Sequence, residues 1–126
     1  MKPNSLMAAM AALMMLPMGQ AAAARSPKTC FSARDVSNFA VVDQRTLNIR
    51  VGVRDVYQLD LTGVCPDIGS QNKIAIRSRG SSFICSPLDA TIVAEGPFGR
   101  LQRCEVRGLR KLTPEDVARL PSRARP

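Results

Sequence analysis

The chain has 126 residues, with 18 lysines and arginines against 10 aspartates and glutamates, a formal net charge of +8 and no histidine. Because histidine is the usual base near neutral pH, catalytic sites of the Ser-His-Asp or Cys-His type are excluded within one copy of this chain. The length fits one small domain, and the excess of cations favours anionic partners.

The first 24 residues have the layout of a secretory signal peptide. Lys2 gives a short basic start, residues 6–19 form an apolar run, and Ala22 and Ala24 precede the predicted cut after Ala24. The apolar run is shorter than the about 20 residues that a membrane-spanning helix needs, which disfavours an uncleaved anchor. We therefore expect a mature chain that begins at Arg25, has no transmembrane span and is periplasmic or secreted.

Residues 25–112 are predicted to form an all-β domain, because apolar and polar residues alternate in several short runs. In TLNIRVGV and VYQLDL the residues predicted to face the core are Leu47, Ile49, Val51, Val53, Tyr57, Leu59 and Leu61. Those predicted to face solvent are Thr46, Asn48, Arg50, Gln58 and Asp60. Further strands are expected in NFAVVD, KIAIRS, SFICS, DATIVAE and LQRCEVRGL. Short strands separated by turns favour a five- to six-stranded barrel, for example of OB type, or a sandwich.

The segment 113–126 is predicted to hold a short helix followed by a basic tail. Thr113 is the expected N-cap, Pro114 the first helical residue and Asp116 the partner in a capping box. The tail PSRARP is expected to be frayed.

The four cysteines are predicted to form two disulfides. Their number is even, and an exported chain folds in an oxidising compartment. The gaps between Cys30, Cys65, Cys85 and Cys104 do not match a zinc site or a C-x-x-C redox motif, so metal binding, redox chemistry and free thiols are weaker alternatives. Of the three connectivities, the expected strand neighbours favour Cys65–Cys85 and Cys30–Cys104.

Four arginines are the candidate anion-binding residues. Arg77 and Arg79 lie in RSRGSS, and Arg103 and Arg107 share one face of the last strand. Such a basic face suits phosphates, anionic lipid headgroups or acidic glycans, whereas a solvated basic surface without a ligand is the simpler alternative. The few aromatic residues, none of them tryptophan, give no support for specific nucleic-acid binding.

No catalytic residue, metal ligand or cofactor is assigned from the sequence. A hydrolase would need two acids close together, and no motif joins the available candidates Asp43, Asp60, Asp67 and Asp89. Asp67 in CPD and Asp89 in SPLDA are better explained as caps of local turns.

The order of these features resembles a family of small exported proteobacterial proteins catalogued as a domain of unknown function. The segments that carry the resemblance are VYQLDLTGVCPDI, IAIRSRGSSFIC and RCEVRGLRKLT. It implies export, a compact β domain and structural cysteines, and no activity. The leading hypothesis is therefore a non-catalytic interaction domain of the cell envelope. The alternatives are a binder of anionic polymer or membrane surface and, third, a hydrolase with an unrecognised acid pair.

Overall fold

The structure is a computed structural model that describes residues 30–69 and 73–126. The predicted signal peptide, residues 1–24, lies outside the described residues. The described part contains eight strands and one α-helix. They are β1 (Phe31–Ser32), β2 (Val36–Asp43), β3 (Thr46–Val51), β4 (Asp55–Leu61), β5 (Ile74–Ser78), β6 (Phe83–Ile84), β7 (Ala90–Glu95), β8 (Leu101–Lys111) and α1 (Pro114–Arg119).

Six strands form one antiparallel sheet in the order β2-β3-β4-β8-β7-β5, and β1 pairs with β6 in a small second sheet. The strand pairs β2–β3, β3–β4 and β7–β8 are hairpins between consecutive strands. β8, the last strand, lies between β4 and β7. The six-stranded sheet curls into an open half-barrel whose end strands are β2 and β5. The predicted all-β fold with a short C-terminal helix is confirmed.

The core lies inside the half-barrel and is built mainly from the predicted inward positions. Leu47, Ile49, Leu59 and Leu61 are all buried, with at most 1% of each residue exposed. Burying one such side chain contributes about 1.5–3 kcal/mol, so this inner layer is a main source of the stability of the fold. The prediction for Val53 is wrong, since 84% of this residue is exposed. The chain leaves β3 at Val51 and turns, so Val53 lies beyond the alternating strand.

Two disulfides are present, as predicted, but the predicted connectivity is wrong. The bonds join Cys30 to Cys85 and Cys65 to Cys104, with 55 and 39 residues of separation. No free cysteine remains among the described residues.

The strand neighbours explain the observed connectivity. β1 pairs with β6 so that Phe31 is opposite Ile84, which brings the flanking Cys30 and Cys85 together. β4 pairs with β8 rather than with the strands around Cys85, and Leu61 is opposite Val106. The turn that follows β4 therefore places Cys65 beside Cys104, within a Cα–Cα distance of 6.0 Å.

The C-terminal helix begins as predicted, whereas the tail does not fray. Thr113 Oγ1 accepts a hydrogen bond from the Asp116 N–H at 3.1 Å, and Asp116 Oδ2 accepts one from the Thr113 N–H at 3.2 Å. Beyond the helix the chain turns back over the outer face of β2 and β3, and Ala124 is only 2% exposed. The prediction of a frayed tail is wrong because this segment packs against the sheet.

Candidate functional site

The half-barrel brings the four predicted arginines to one side of the sheet. Strand β7 lies between β5 and β8, with Thr91 opposite Arg77 on one side and opposite Glu105 on the other. Val93, two residues further along β7, is opposite Arg103. Alternate residues of a strand share a face, so Arg103 and Glu105 project together from the outer face of β8, and Arg107 follows where the register between β8 and β4 shifts. All three are exposed.

Arg79 is the member of this set whose charge is already paired. Its guanidinium forms a salt bridge with Glu105, and its Nε donates to Thr91 Oγ1 at 3.2 Å. The two side chains are 56% and 49% exposed, so the pair contributes little to stability, about 0–1 kcal/mol. Glu105 also places a negative charge between Arg103 and Arg107 in the sequence of β8.

Three arginines thus remain as the cations of the predicted basic face. Among residues 30–69 and 73–126, no ion pair involves Arg77, Arg103 or Arg107. We call this set the outer basic face. The alternation in RCEVR places Glu105 on the same face as these arginines. The salt bridge between Glu105 and Arg79, in contrast, depends on strand pairing across β7.

A second polar cluster, which the sequence does not reveal, covers the outer face of β3 and β4. Asn48 is completely buried and donates from Nδ2 to the Ala124 carbonyl at 2.8 Å. Gln58 Nε2 donates to Asn48 Oδ1 at 3.2 Å and, in turn, Gln58 Oε1 accepts from Arg110 at 2.8 Å. Asn48 is therefore not the solvent-facing residue that the alternation predicts, because the C-terminal segment covers it.

The C-terminal segment also contacts Arg50. Its guanidinium donates to the main-chain oxygen of Pro126. Arg50 and Asn48 lie on β3 two residues apart, so both hold the returning chain from the same face. This cluster fastens the C-terminal segment and is structural.

The candidate acids serve mainly local structure. The Cys85 and Ser86 N–H groups donate to Asp89 Oδ2 at 3.1 and 3.0 Å, which confirms the predicted turn cap. These hydrogen bonds hold the pKa of the Asp89 carboxyl below its ordinary value. Asp43 Oδ1 accepts from the Arg45 N–H at 2.7 Å in the β2–β3 turn, and Asp60 Oδ1 accepts from the Thr46 hydroxyl at 3.4 Å.

Asp67 lies in the 3₁₀ turn Pro66–Gly69 directly after Cys65. Its main-chain N–H donates to Gln102 Oε1 at 3.1 Å, and its carboxylate packs so close to Gly96 that a side chain there would collide with it. Its role as a turn cap stays a prediction. Among the described residues, no group of three or more acidic or cysteine side chains is arranged to hold a metal ion.

The open side of the half-barrel forms a groove between the end strands. It has a volume of about 330 Å³ and is lined by residues 36–39 of β2 and by Ile74 and Ile76 of β5. A second hollow of about 270 Å³ adjoins it, shares Ala33 and Ile76 with it, and adds Arg34 and Arg77. We call the two together the edge groove. Sequence reasoning missed it because the sequence does not say which strands end the sheet.

A wider cleft of about 600 Å³ lies between the β3–β4 turn and α1. Leu112, Pro114 and Val117 give it an apolar wall, and the ion pair between Lys111 Nζ and Asp55 Oδ1, at 3.3 Å, lies at its rim.

Within the described part of the chain, no helix is both long and apolar enough to cross a membrane.

Comparison with known proteins gives one family. Searches of curated proteins and of solved structures find no match. A family model described as a family of unknown function, DUF6491, matches residues 2–126. The match covers nearly the whole chain, and the protein therefore belongs to the DUF6491 family.

Proposed function

We propose that this protein is an exported binding domain of the cell envelope, held rigid by two disulfides and without catalytic activity. The observation that carries the proposal is the pair of disulfides, which persist only in oxidising compartments in most organisms. The signal-peptide layout of residues 1–24 supports the same compartment.

Binding is favoured over catalysis by the chemistry of the side chains. The chain has no histidine, Asp43 and Asp89 accept main-chain hydrogen bonds in turns, and Asp55 and Glu105 form ion pairs with Lys111 and Arg79. The pKa of Asp89 is lowered, whereas a carboxyl that acts as a general acid near neutral pH needs a raised pKa. The exposed features are a basic face and grooves, which are features of recognition surfaces.

Cell fractionation tests the compartment. The full-length chain is expressed with a C-terminal tag, and the tagged protein is recovered from periplasmic and cytoplasmic fractions. We expect mass spectrometry to find a chain that starts near Arg25 in the periplasmic fraction, with no thiol that reacts with a maleimide. A chain that retains Met1 and four reactive thiols in the cytoplasm would contradict the proposal.

A second candidate function is binding of anionic polymer or membrane surface by the outer basic face. Its support is the register across β7, which places Arg77 and Arg103 near Glu105 on the outer face, with Arg107 two residues further along β8. If three phosphates are neutralised, affinity falls with salt with a log–log slope of about 2–2.7. Raising the salt from 50 to 200 mM would then weaken binding roughly 20- to 40-fold.

Retention on heparin and on vesicles of anionic lipid, measured across that salt range, tests this candidate. The variant Arg103→Gln with Arg107→Gln should lower the salt slope by about two-thirds, because two of the three cations are removed. The control is Arg45→Gln with Arg54→Gln, which removes the same charge at exposed positions elsewhere. Equal losses in the two variants would show that only net charge matters and would contradict a specific face.

A further inference from the structure

The edge groove lies between two strands that each pair on one side only. β2 and β5 are the end strands of the six-stranded sheet, and both line the same groove. We propose that this groove binds an extended acidic segment of a partner protein, which adds as a strand to one of the two edges. The inference rests on the proposed role as a binding domain and names the site and the chemistry of the partner.

The unpaired edges of β2 and β5 are the first reason to expect an added strand. A strand at the end of a sheet presents a row of main-chain N–H and C=O groups without partners, and it is a template for an added strand. Proteins commonly blunt such edges with short strands or cover them. Within the part of the chain that the structure describes, β2 has eight residues and β5 has five, and neither has a second strand neighbour. A peptide strand would pair with these main-chain groups.

An apolar floor is the second reason. Phe39, Ile74 and Ile76 pack against the buried core but remain partly exposed in the groove. In an added strand, every second side chain points to the same face as these residues. The partner should therefore carry apolar residues at alternate positions, because these would cover Phe39, Ile74 and Ile76 and bury them from water.

The cations beside the groove indicate which side chains the partner segment should carry at its outward-facing positions. Arg34 and Arg77 line the hollow beside the floor, and neither forms an ion pair among the described residues. Lys73 precedes β5 directly and is exposed. Among the residues that the structure describes, no acid lines either part of the groove. Carboxylates at the outward positions of the partner would meet these cations, so the expected segment alternates apolar and acidic residues.

The probe is a fluorescent seven-residue peptide that alternates valine and aspartate, with both ends blocked. We expect saturable binding by the oxidised mature chain in fluorescence anisotropy. Amide hydrogen exchange should slow in 36–39 or in 74–78, the two edges that could accept the strand. No binding at 1 mM peptide, or slowed exchange confined to other strands, would overturn the proposal.

Two altered peptides test the mode of binding without changing the protein. N-methylation of alternate amides removes the hydrogen-bond donors of one edge of the peptide strand. Two peptides are therefore made, one methylated on the valine amides and one on the aspartate amides. The peptide whose methylated edge faces the groove should bind at least tenfold more weakly. Replacing aspartate by lysine should weaken binding to a similar extent because of the cationic rim. Unchanged binding of both methylated peptides or of the lysine peptide would refute strand addition to a cationic edge.

Two matched protein variants separate this site from the outer basic face. Arg34→Glu reverses a charge at the groove, and Arg107→Glu makes the same change on the outer face of β8. We expect at least tenfold weaker peptide binding for the first and less than twofold change for the second. The reverse pattern would overturn the proposal. Export, tested by fractionation, and heparin retention do not depend on this result, so failure of the groove proposal is distinguishable from failure of the proposed function.

Discussion

The bond between Cys65 and Cys104 should matter most to stability. It joins the turn after β4 to the middle of β8, and Cys65 is completely buried while Cys104 is 7% exposed. The perturbation is the double variant Cys65→Ala with Cys104→Ala. The matched control is Cys30→Ala with Cys85→Ala, whose cysteines are both exposed.

The expected magnitude follows from loop length and burial. For separations of 39 and 55 residues, the chain-entropy relation gives about 3.9 and about 4.2 kcal/mol. Loop length alone therefore predicts a slightly larger cost for the exposed bond. Removing two sulfur atoms from the core should add roughly 1–2 kcal/mol for the buried bond, by analogy with the deletion of buried methyl groups. The buried bond should thus cost more in total, about 5–6 kcal/mol, a large fraction of the about 5–15 kcal/mol that stabilises a typical domain.

Urea unfolding followed by far-UV circular dichroism measures both variants. We expect the variant without Cys65 and Cys104 to be the less stable of the two, or to be unfolded without urea. If the variant without Cys30 and Cys85 were equally or less stable, the argument from burial would be refuted.

Reduction of the unaltered protein gives an independent readout. Access to a disulfide limits its exchange with external thiols, so mild reductant should open Cys30–Cys85 first. Cys65–Cys104 should open only as the fold unfolds. Timed alkylation and peptide mapping would show the order, and early alkylation of Cys65 would contradict the burial of its bond in solution.

Three further predictions concern single side chains. Asn48→Ala should lower the free energy of unfolding, measured in urea, by about 1–3 kcal/mol, because the buried Ala124 carbonyl loses its donor. A loss below about 0.5 kcal/mol would indicate that Asn48 does not hold the C-terminal segment. Asp89 has a folded-state pKa below its ordinary value of 3.8, so its contribution to stability is present above that value and is lost as the pH falls through the folded-state pKa. Asp89→Asn should therefore be less stable than the unaltered protein at pH 7 and lose less stability between pH 5 and pH 2, whereas parallel pH profiles would contradict the cap. Thr113→Ala should cost about 1 kcal/mol through loss of the capping box while Thr113→Ser costs less, and equal stability of the two variants would contradict the capping role.

The outer basic face and the edge groove share one residue, Arg77. It lies opposite Thr91 on the outer side of β5 and also lines the groove beside Arg34. This position follows from β5 being an end strand, since a long side chain there can reach the outer face or the open edge. Variants at Arg77 would affect both proposed surfaces, so Arg34 and Arg107 separate them more cleanly.

The sequence by itself determines the local structure well, because local structure depends on neighbouring residues. Leu47, Ile49, Leu59 and Leu61 alternate with polar residues, which predicts strands with one buried face, and all four side chains lie in the core. Thr113 and Asp116 predict the start of the helix because both halves of the capping box lie within one turn. An even number of cysteines behind a signal-peptide pattern predicts disulfides without saying which cysteines are partners.

The tertiary structure alone decides what depends on long-range pairing. Cys65 bonds to Cys104 because β8 enters the sheet between β4 and β7, and no local pattern predicts that position. Asn48 is buried because a segment 76 residues later in the chain returns over it, although its place in the alternation is that of a solvent-facing residue. The edge groove likewise exists because β2 and β5 end the sheet. Side-chain periodicity fixes which face of a strand is buried, whereas strand order is set by the packing of the whole domain.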